Sequence, residues 1–158
     1  MPIMPITRII SGGQTGVDRA GLDAAIELGI EHGGYAPKGR IAEDGLIPEK
    51  YNLEELTKGG YPARTKKNIE SSDGSLIFCK GTPKTGTKLT VEYARKIGKP
   101  FLVLDSDAVN QPTAVRLIQE WIEDEKIEIL NVAGPRLSSA PMVSILAKKI
   151  LIAALGGI

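Results

Sequence analysis

Five short runs rich in apolar and β-branched residues alternate along the chain with longer stretches whose apolar residues recur at helical spacing. The runs are residues 7–11, 31–35, 75–79, 101–105 and 127–132, of which the second is the weakest. Strands that alternate with helices favour right-handed crossovers and a parallel sheet covered on both faces. The sequence therefore predicts a Rossmann-like α/β fold, a three-layer sandwich with a mainly parallel sheet of about five strands and helices on both faces.

The stretches between and after these runs have the spacing of helices that pack one face against a sheet. The predicted helices are one that begins near Val17, a short one that ends at Gly74, one over residues 90–98, one over residues 112–125 and one over residues 143–154. The last helix is apolar over a stripe broader than one sheet contact requires, so part of it could form a subunit interface.

The length of 158 residues suits one domain, and we interpret residues 1–158 as a single ligand-binding domain. Residues 1–6 form either a frayed arm or a segment that packs on a neighbouring subunit. A formal net charge of +1 gives no indication of a nucleic-acid or membrane partner. The lone cysteine, Cys79, and the lone histidine, His32, argue against a zinc site and fit a reducing compartment. With no recognisable signal peptide or membrane span, we expect a soluble cytoplasmic protein.

The first loop, residues 11–16, joins the first run to the first helix and reads SGGQTG. Its glycines permit positive φ angles and a close approach of a ligand, and the helix that follows offers unpaired N–H donors. The spacing matches neither the dinucleotide fingerprint nor a Walker loop. We interpret this loop as a binding loop for an anion. The alternative is a tight turn in which Asp18 merely favours the helix start.

The second loop, residues 36–51, is long and irregular. It places Lys38 and Arg40 on either side of Gly39, and Glu43 and Asp44 follow. Cations beside a glycine suit phosphate, and carboxylates can accept hydrogen bonds from ring N–H groups or hydroxyls. The alternative is a solvated loop whose charges neutralise one another. Because long loops in compact domains are often functional, we expect this loop to reach the ligand.

Further donors precede two later helices. The third loop, residues 80–87, contributes Gly81, Thr82, Gly86 and Thr87, and the fifth loop, residues 134–139, contributes Gly134 and Arg136. Both suit an anion at a helix start, although Thr87 could be only a helix cap, as could Ser138 or Ser139. The fourth loop, residues 105–107, contributes two carboxylates. Of the basic cluster at residues 64–67, Arg64 is the member we place near a site.

Taken in order, the segments GGQTGVDRAGLDAA, PKGRIAEDGLIP, RTKKNIESSDGSLIF, TGTKLT and NVAGP resemble the family of putative molybdenum carrier proteins. That family is similar to the molybdenum cofactor carrier proteins and lies within the SLOG group of Rossmann-like domains, which includes the LOG phosphoribohydrolases. The resemblance spans most of the chain from Ile9 to Pro135. It implies a phosphorylated small-molecule ligand and a homo-oligomer, a dimer or tetramer.

The resemblance also implies which residues contact the cofactor. It assigns ligand binding to Gly12, Gly13, Gln14, Thr15, Gly16, Asp18, Arg19, Lys38, Gly39, Arg40, Glu43, Asp44, Arg64, Thr65, Asn68, Gly86 and Thr87. Asp18 and Arg19 either contact the ligand or brace the loop. No catalytic residue and no metal ligand is assigned, because molybdopterin carries its own dithiolene and needs anion donors and polar edges from a carrier.

Carriers of this kind bind the molybdenum cofactor, or molybdopterin, without transforming it, and this is the function that the resemblance implies. The same loops would accept another phosphate-bearing, nucleotide-like ligand. One alternative is therefore a LOG-like hydrolase of nucleoside monophosphates, and another is a sensor of nucleotide-derived ligands. LOG enzymes use the motif GGxGTxxE, and here Thr90 stands where its glutamate is expected, with Glu92 roughly 200° further around the helix. The sequence therefore favours a carrier over an enzyme, although Asp18, Glu43 or Asp44 could supply an acid from another loop.

Overall fold

The computed structural model describes residues 6–156. Its strands are β1 (Arg8–Ile10), β2 (Glu31–Gly33), β3 (Tyr35–Ala36), β4 (Ile41–Ala42), β5 (Gly45–Leu46), β6 (Glu54–Glu55), β7 (Gly74–Cys79), β8 (Phe101–Asp105) and β9 (Ile129–Ala133). Its helices are α1 (Val17–Leu28), α2 (Tyr61–Glu70), α3 (Thr85–Ile97), α4 (Gln111–Glu125) and α5 (Pro141–Gly156).

The central sheet has five strands in the order β2-β1-β9-β7-β8, and every neighbouring pair is parallel. These are the five strands that the apolar runs predict, so the predicted fold class is confirmed. Two small ribbons were not predicted: β3 pairs with β6, and β4 pairs with β5 in an antiparallel hairpin. Strands of two residues are too short to show a period in the sequence.

Helices cover both faces of the sheet. On one face α1 packs against α5 and α5 against α4, and on the other α2 packs against α3. The main core lies under α1, α4 and α5, where Leu76, Phe78, Leu130 and Val132 of the central strands are buried. Because side chains alternate along a strand, Ser75 and Asn131 face α2 and α3 instead. That face of the sheet therefore carries buried polar groups.

Two predicted helix bounds need correction. The short helix was expected to end at Gly74, but α2 ends at Glu70, and Gly74 is the first residue of β7. The Asp73 carboxylate accepts hydrogen bonds from the N–H groups of Glu128 and Ile129, which holds residues 71–73 as a turn against β9. The helix predicted over residues 90–98 begins earlier, at Thr85, and ends as predicted, with Gly98 in the left-handed conformation.

Of the proposed terminal arm, residues 1–5 lie outside the described residues, and Ile6 is buried in the main core. Within residues 6–156, no helix combines the length and the apolar character that crossing a membrane requires.

Candidate functional site

A cleft of about 720 Å³ opens at the carboxyl ends of β1, β9 and β7. The chain leaves β1 toward β2 on one side of the sheet and leaves β7 toward β8 on the other. Such a reversal separates the loops above the sheet and creates a crevice, which is where open α/β sheets bind ligands. The volume lies in the range of small-molecule sites.

The cleft brings together parts of the first, third and fifth loops and of α2. The residues predicted to bind a ligand that line it are Gly12, Gln14, Asp18, Arg64, Thr65, Asn68, Thr82, Gly86, Thr87, Gly134 and Arg136. Those that do not line it are Gly13, Thr15, Gly16, Arg19, Lys38, Gly39, Arg40, Glu43, Asp44 and Gly81. The second loop, which the sequence predicts to reach the ligand, does not border this cleft.

A buried ion pair forms one wall. Nη1 of Arg64 lies 3.1 Å from Oδ2 of Asp18, and the two side chains are only 11% and 4% exposed. The Asp18 carboxylate also accepts the N–H of Gln14 and that of Gly134. Burial raises the pKa of the Asp18 carboxyl, and the positive charge of Arg64 opposes that rise. The pair therefore joins α2 to the first and fifth loops.

Gly12 makes room for this pair. A Cβ atom at Gly12 would lie 2.3 Å from Nη1 and 2.6 Å from Cδ of Arg64. A larger residue at position 12 would displace the Arg64 side chain and break its ion pair with Asp18. The Nε atom of Arg64 is buried and has no hydrogen-bond partner within residues 6–156, so it can still donate a hydrogen bond.

The third loop presents the start of α3 to the cleft. Lys84 is the residue before the helix, and no side chain caps this end. Thr87 lies inside the first turn, where its N–H donates to the carbonyl of Lys84, so the alternative that Thr87 is only a cap is wrong. The N–H groups of Thr85 and Gly86 have no acceptor among the described residues. Open amides at a helix start form a site for an anion.

The charges around the cleft are unequal. Asp18 pairs with Arg64, and Asp107 pairs with Lys80 at 2.7 Å. Lys84 and Arg136 also line the cleft, and in the described part of the chain no carboxylate lies within 4.0 Å of either cation. Lys84 lies at the start of α3, and Arg136 belongs to the fifth loop, where its charge also acts on Glu43. Two cations without an ion pair in one cleft favour an anionic ligand.

The second loop braces the first loop from outside the cleft. A carboxylate oxygen of Glu43 accepts the hydroxyl of Thr15 and, at 3.1 Å, the N–H of Ser138, and its other oxygen accepts the Ser138 hydroxyl at 2.6 Å. The N–H of Glu43 donates to the side-chain carbonyl of Gln14 at 2.9 Å. Glu43 therefore ties the first loop to the fifth, and Ser138 serves this contact rather than capping α5.

The arginines beside the first loop and in the second loop also bind groups of the protein itself. Arg19 binds Asp44 through two hydrogen bonds of 2.6 and 2.8 Å and donates to the carbonyl of Gly13. The guanidinium of Arg40 donates to the carbonyls of Leu53, Ile47, Pro48 and Tyr51. Arg40 thus organises the second loop instead of facing a ligand. Lys38 is exposed, and the N–H of Gly39 donates to Glu55.

The position of the LOG-type glutamate is occupied by a hydroxyl. Thr90 lines the cleft and is buried, and its hydroxyl donates to the carbonyl of Gly86 at 3.0 Å. Glu92 is exposed and lies 3.9 Å from Lys88. The carboxylates that line the cleft among the described residues are Asp18 and Asp107, both paired with cations.

Sequence reasoning missed Lys84, Tyr61 and Asn131 as residues of the cleft. Lys84 and Tyr61 could not be separated from other exposed side chains by spacing. Asn131 left a signal, since it is a single amide inside the apolar run of β9, and a buried polar group in a central strand requires a partner.

The brace made by Glu43 predicts a pH dependence. The pKa of Glu43 lies below its usual range because the Ser138 and Thr15 hydroxyls donate to the carboxylate. A carboxyl of lowered pKa contributes stability above its ordinary pKa of 4.5 and loses it as the pH falls through the lowered value. We therefore expect the difference in unfolding free energy between wild type and Glu43→Gln to shrink from about pH 7 to about pH 3.

Urea denaturation at a series of pH values measures this difference. Glu49→Gln, at an exposed position of the same loop, controls for the substitution itself. A difference that stays constant down to the lowest pH would show that Glu43 is not held as a carboxylate.

Comparisons with known proteins agree with the fold. A model of the circularly permutated YpsA SLOG family matches residues 9–155. A crystal structure of a putative molybdenum carrier protein from Syntrophus aciditrophicus SB is similar, with 44% sequence identity over 98% of each chain and a TM-score of 0.95. No curated protein matches the chain.

Proposed function

Because the chain belongs to the circularly permutated YpsA SLOG family, we propose that it binds a phosphorylated small molecule in the cleft and holds it without converting it. The observation that carries the proposal is the start of α3, where open amides lie beside Lys84 in a cleft that Arg136 also lines, and neither cation forms an ion pair among the described residues. A phosphate placed there receives amide donors, the helix dipole and two positive charges. The open Nε of Arg64 offers one more donor.

The ligand that we propose is the molybdenum cofactor. Support comes from the similar crystal structure, which is described as that of a putative molybdenum carrier protein. The chemistry of the cleft fits such a cargo, because a carrier must hold a phosphate and polar edges and need not ligate a metal that already has a dithiolene. The cytoplasmic location and the homo-oligomer implied by the resemblance remain predictions. Met142 and Ile145 on α5 are exposed and are candidates for the subunit contact.

Retention without conversion is favoured by Thr90. A glycosidic hydrolase needs a general acid or base near the ribose. Thr90 stands where LOG enzymes have glutamate, its hydroxyl already donates to Gly86, and Glu92 lies in a surface contact with Lys88. The carboxylates that line the cleft among the described residues are Asp18, which is engaged with Arg64, and Asp107, which is engaged with Lys80.

We expect Lys84→Ala and Arg136→Ala each to weaken binding of inorganic phosphate roughly threefold to tenfold, because each removes a charged partner of the anion. Lys88→Ala is the matched control, since Lys88 lies one turn further along α3 and does not line the cleft. Its effect should stay within about twofold, as for an exposed ion pair. Equilibrium dialysis measures the affinities, and binding of the wild type should weaken with added salt.

A second experiment tests whether the protein holds its ligand without converting it. Molybdenum cofactor released from a purified molybdoenzyme should co-elute with the protein in gel filtration and be recovered intact by mass spectrometry. Adenosine 5′-monophosphate should survive long incubation with the protein. Release of adenine that is lost in Asp18→Asn would establish the hydrolase instead, and a wild-type protein that binds neither phosphate nor cofactor would refute the proposal.

A further inference from the structure

The floor of the cleft carries a buried amide that the anion site does not use. Asn131 of β9 is 3% exposed and lines the cleft. Its Nδ2 atom donates to Oγ of Ser75 at 3.0 Å. Within residues 6–156 its Oδ1 atom has no hydrogen-bond partner. This oxygen is not fully shielded from solvent, so it is available to accept a hydrogen bond from a ligand group.

Ser75 lies against one end of this amide. Ser75 is fully buried, pairs with Asn131 in the register of β7 and β9, and does not line the cleft. The Nδ2 end meets Ser75, which leaves the Oδ1 end as the part of the amide that is open to the cleft. An acceptor held in this way selects a ligand group that donates.

The other side chains that line the cleft indicate which class of ligand carries this donor group. Tyr61 and Leu89 line the cleft, and the Tyr61 ring packs against the Arg64 guanidinium, with 5.3 Å between the ring centroid and Cζ. Apolar and aromatic walls suit a flat ring, and such sites usually fix a ligand with a small number of polar groups. The volume of about 720 Å³ exceeds what a phosphate alone would fill.

We propose that Asn131, held by Ser75, is the specificity-determining residue of the cleft and accepts a hydrogen bond from a ring N–H or amino group of a phosphorylated heterocycle. The inference rests on the proposed function, because it takes the phosphate to lie at the start of α3. Pterins and purines share this donor edge. A ring that presents only lone pairs toward Oδ1 of Asn131 cannot donate to it, so we expect such rings to bind more weakly.

Three phosphorylated probes and inorganic phosphate test the proposal. Guanosine 5′-monophosphate and 6-hydroxymethylpterin phosphate carry ring N–H and amino donors, and purine riboside 5′-monophosphate has neither. We expect the wild type to prefer at least one donor-bearing probe over purine riboside 5′-monophosphate by about tenfold. The preferred probe distinguishes a pterin from a purine ligand.

Two variants of similar shape separate the acceptor from packing. Asn131→Leu removes the acceptor and should abolish the preference, while its affinity for inorganic phosphate stays within about twofold of the wild type. Asn131→Asp keeps an acceptor oxygen and should retain the preference, even if the added charge weakens every anionic probe. If Asn131→Leu does not fold, as judged by its thermal midpoint, Asn131→Ala replaces it with the same expectation.

The outcomes distinguish this inference from the proposed function. Asn131 does not determine which ring binds if inorganic phosphate binds but the wild type shows no preference for a donor-bearing probe. The same conclusion follows if Asn131→Leu keeps that preference. If neither inorganic phosphate nor any phosphorylated probe binds the wild type, the proposed function fails.

Discussion

Replacing Arg64 by methionine is expected to lower the free energy of unfolding by about 3 kcal/mol at neutral pH. Methionine can still pack along Gly12 and Tyr61, but Asp18 then remains buried as a carboxylate without its counter-ion. Removing one partner of a buried ion pair costs far more than an exposed pair contributes. Chemical denaturation at neutral pH measures the loss.

The pH dependence of this loss identifies its cause. Burial already raises the pKa of Asp18 from its ordinary value of 3.8, and Arg64 opposes the rise, so removing Arg64 raises the pKa further. A carboxyl whose pKa is higher in the folded state favours folding when protonated and opposes it when ionised. The destabilisation by Arg64→Met should therefore be largest above the raised pKa and fade as the pH approaches about 3.5.

A neighbouring ion pair supplies the control. Lys80 and Asp107 also line the cleft and lie 2.7 Å apart, but their side chains are 61% and 52% exposed. Lys80→Met should therefore destabilise the protein much less than Arg64→Met does. The double variant Arg64→Met with Asp18→Asn should recover part of the loss, because no unpaired charge remains buried. Equal losses for Arg64→Met and Lys80→Met would contradict a buried pair.

Replacing Gly16 by alanine is expected to cost about 3 kcal/mol of stability and most of the affinity for inorganic phosphate. Gly16 has a φ of +86°, and a Cβ atom there would lie 2.5 Å from the carbonyl oxygen of Pro135 and 2.6 Å from the amide nitrogen of Leu137. Both atoms belong to the backbone, so no side-chain rotation can relieve the clash. The first and fifth loops would have to separate, and the cleft lies between them.

Gly29 allows the clash to be separated from the backbone strain. It has a φ of +71°, and a Cβ atom there would meet nothing within 4 Å. Gly29→Ala should therefore cost only about 1 kcal/mol, the strain of a left-handed residue, and leave phosphate binding intact. Urea denaturation and equilibrium dialysis compare the two variants. Similar losses in both would show that the first and fifth loops can move apart cheaply.

The candidate site was only partly accessible from the sequence. The first and third loops were recognisable because a glycine-rich turn before a helix has the same meaning in any parallel sheet. The sequence predicts that the second loop contacts the ligand. In the structure Arg40 donates hydrogen bonds to backbone carbonyls of its own chain, and the Glu43 carboxylate accepts hydrogen bonds from Thr15 and Ser138. Whether a charged side chain binds a ligand or its own chain depends on neighbours that are distant in sequence.

The sequence by itself determined the five-stranded parallel sheet, the helices that alternate with its strands and the glycine-rich loop between β1 and α1. Those features follow from periodicity and local chemistry, which are properties of neighbouring residues. Tertiary structure alone decided that Arg64 meets Asp18, that Glu43 joins two loops outside the cleft, and that Asn131 lies on its floor. These contacts join residues far apart in the chain, and their energies depend on burial and on the unsatisfied groups beside them, which no local pattern records.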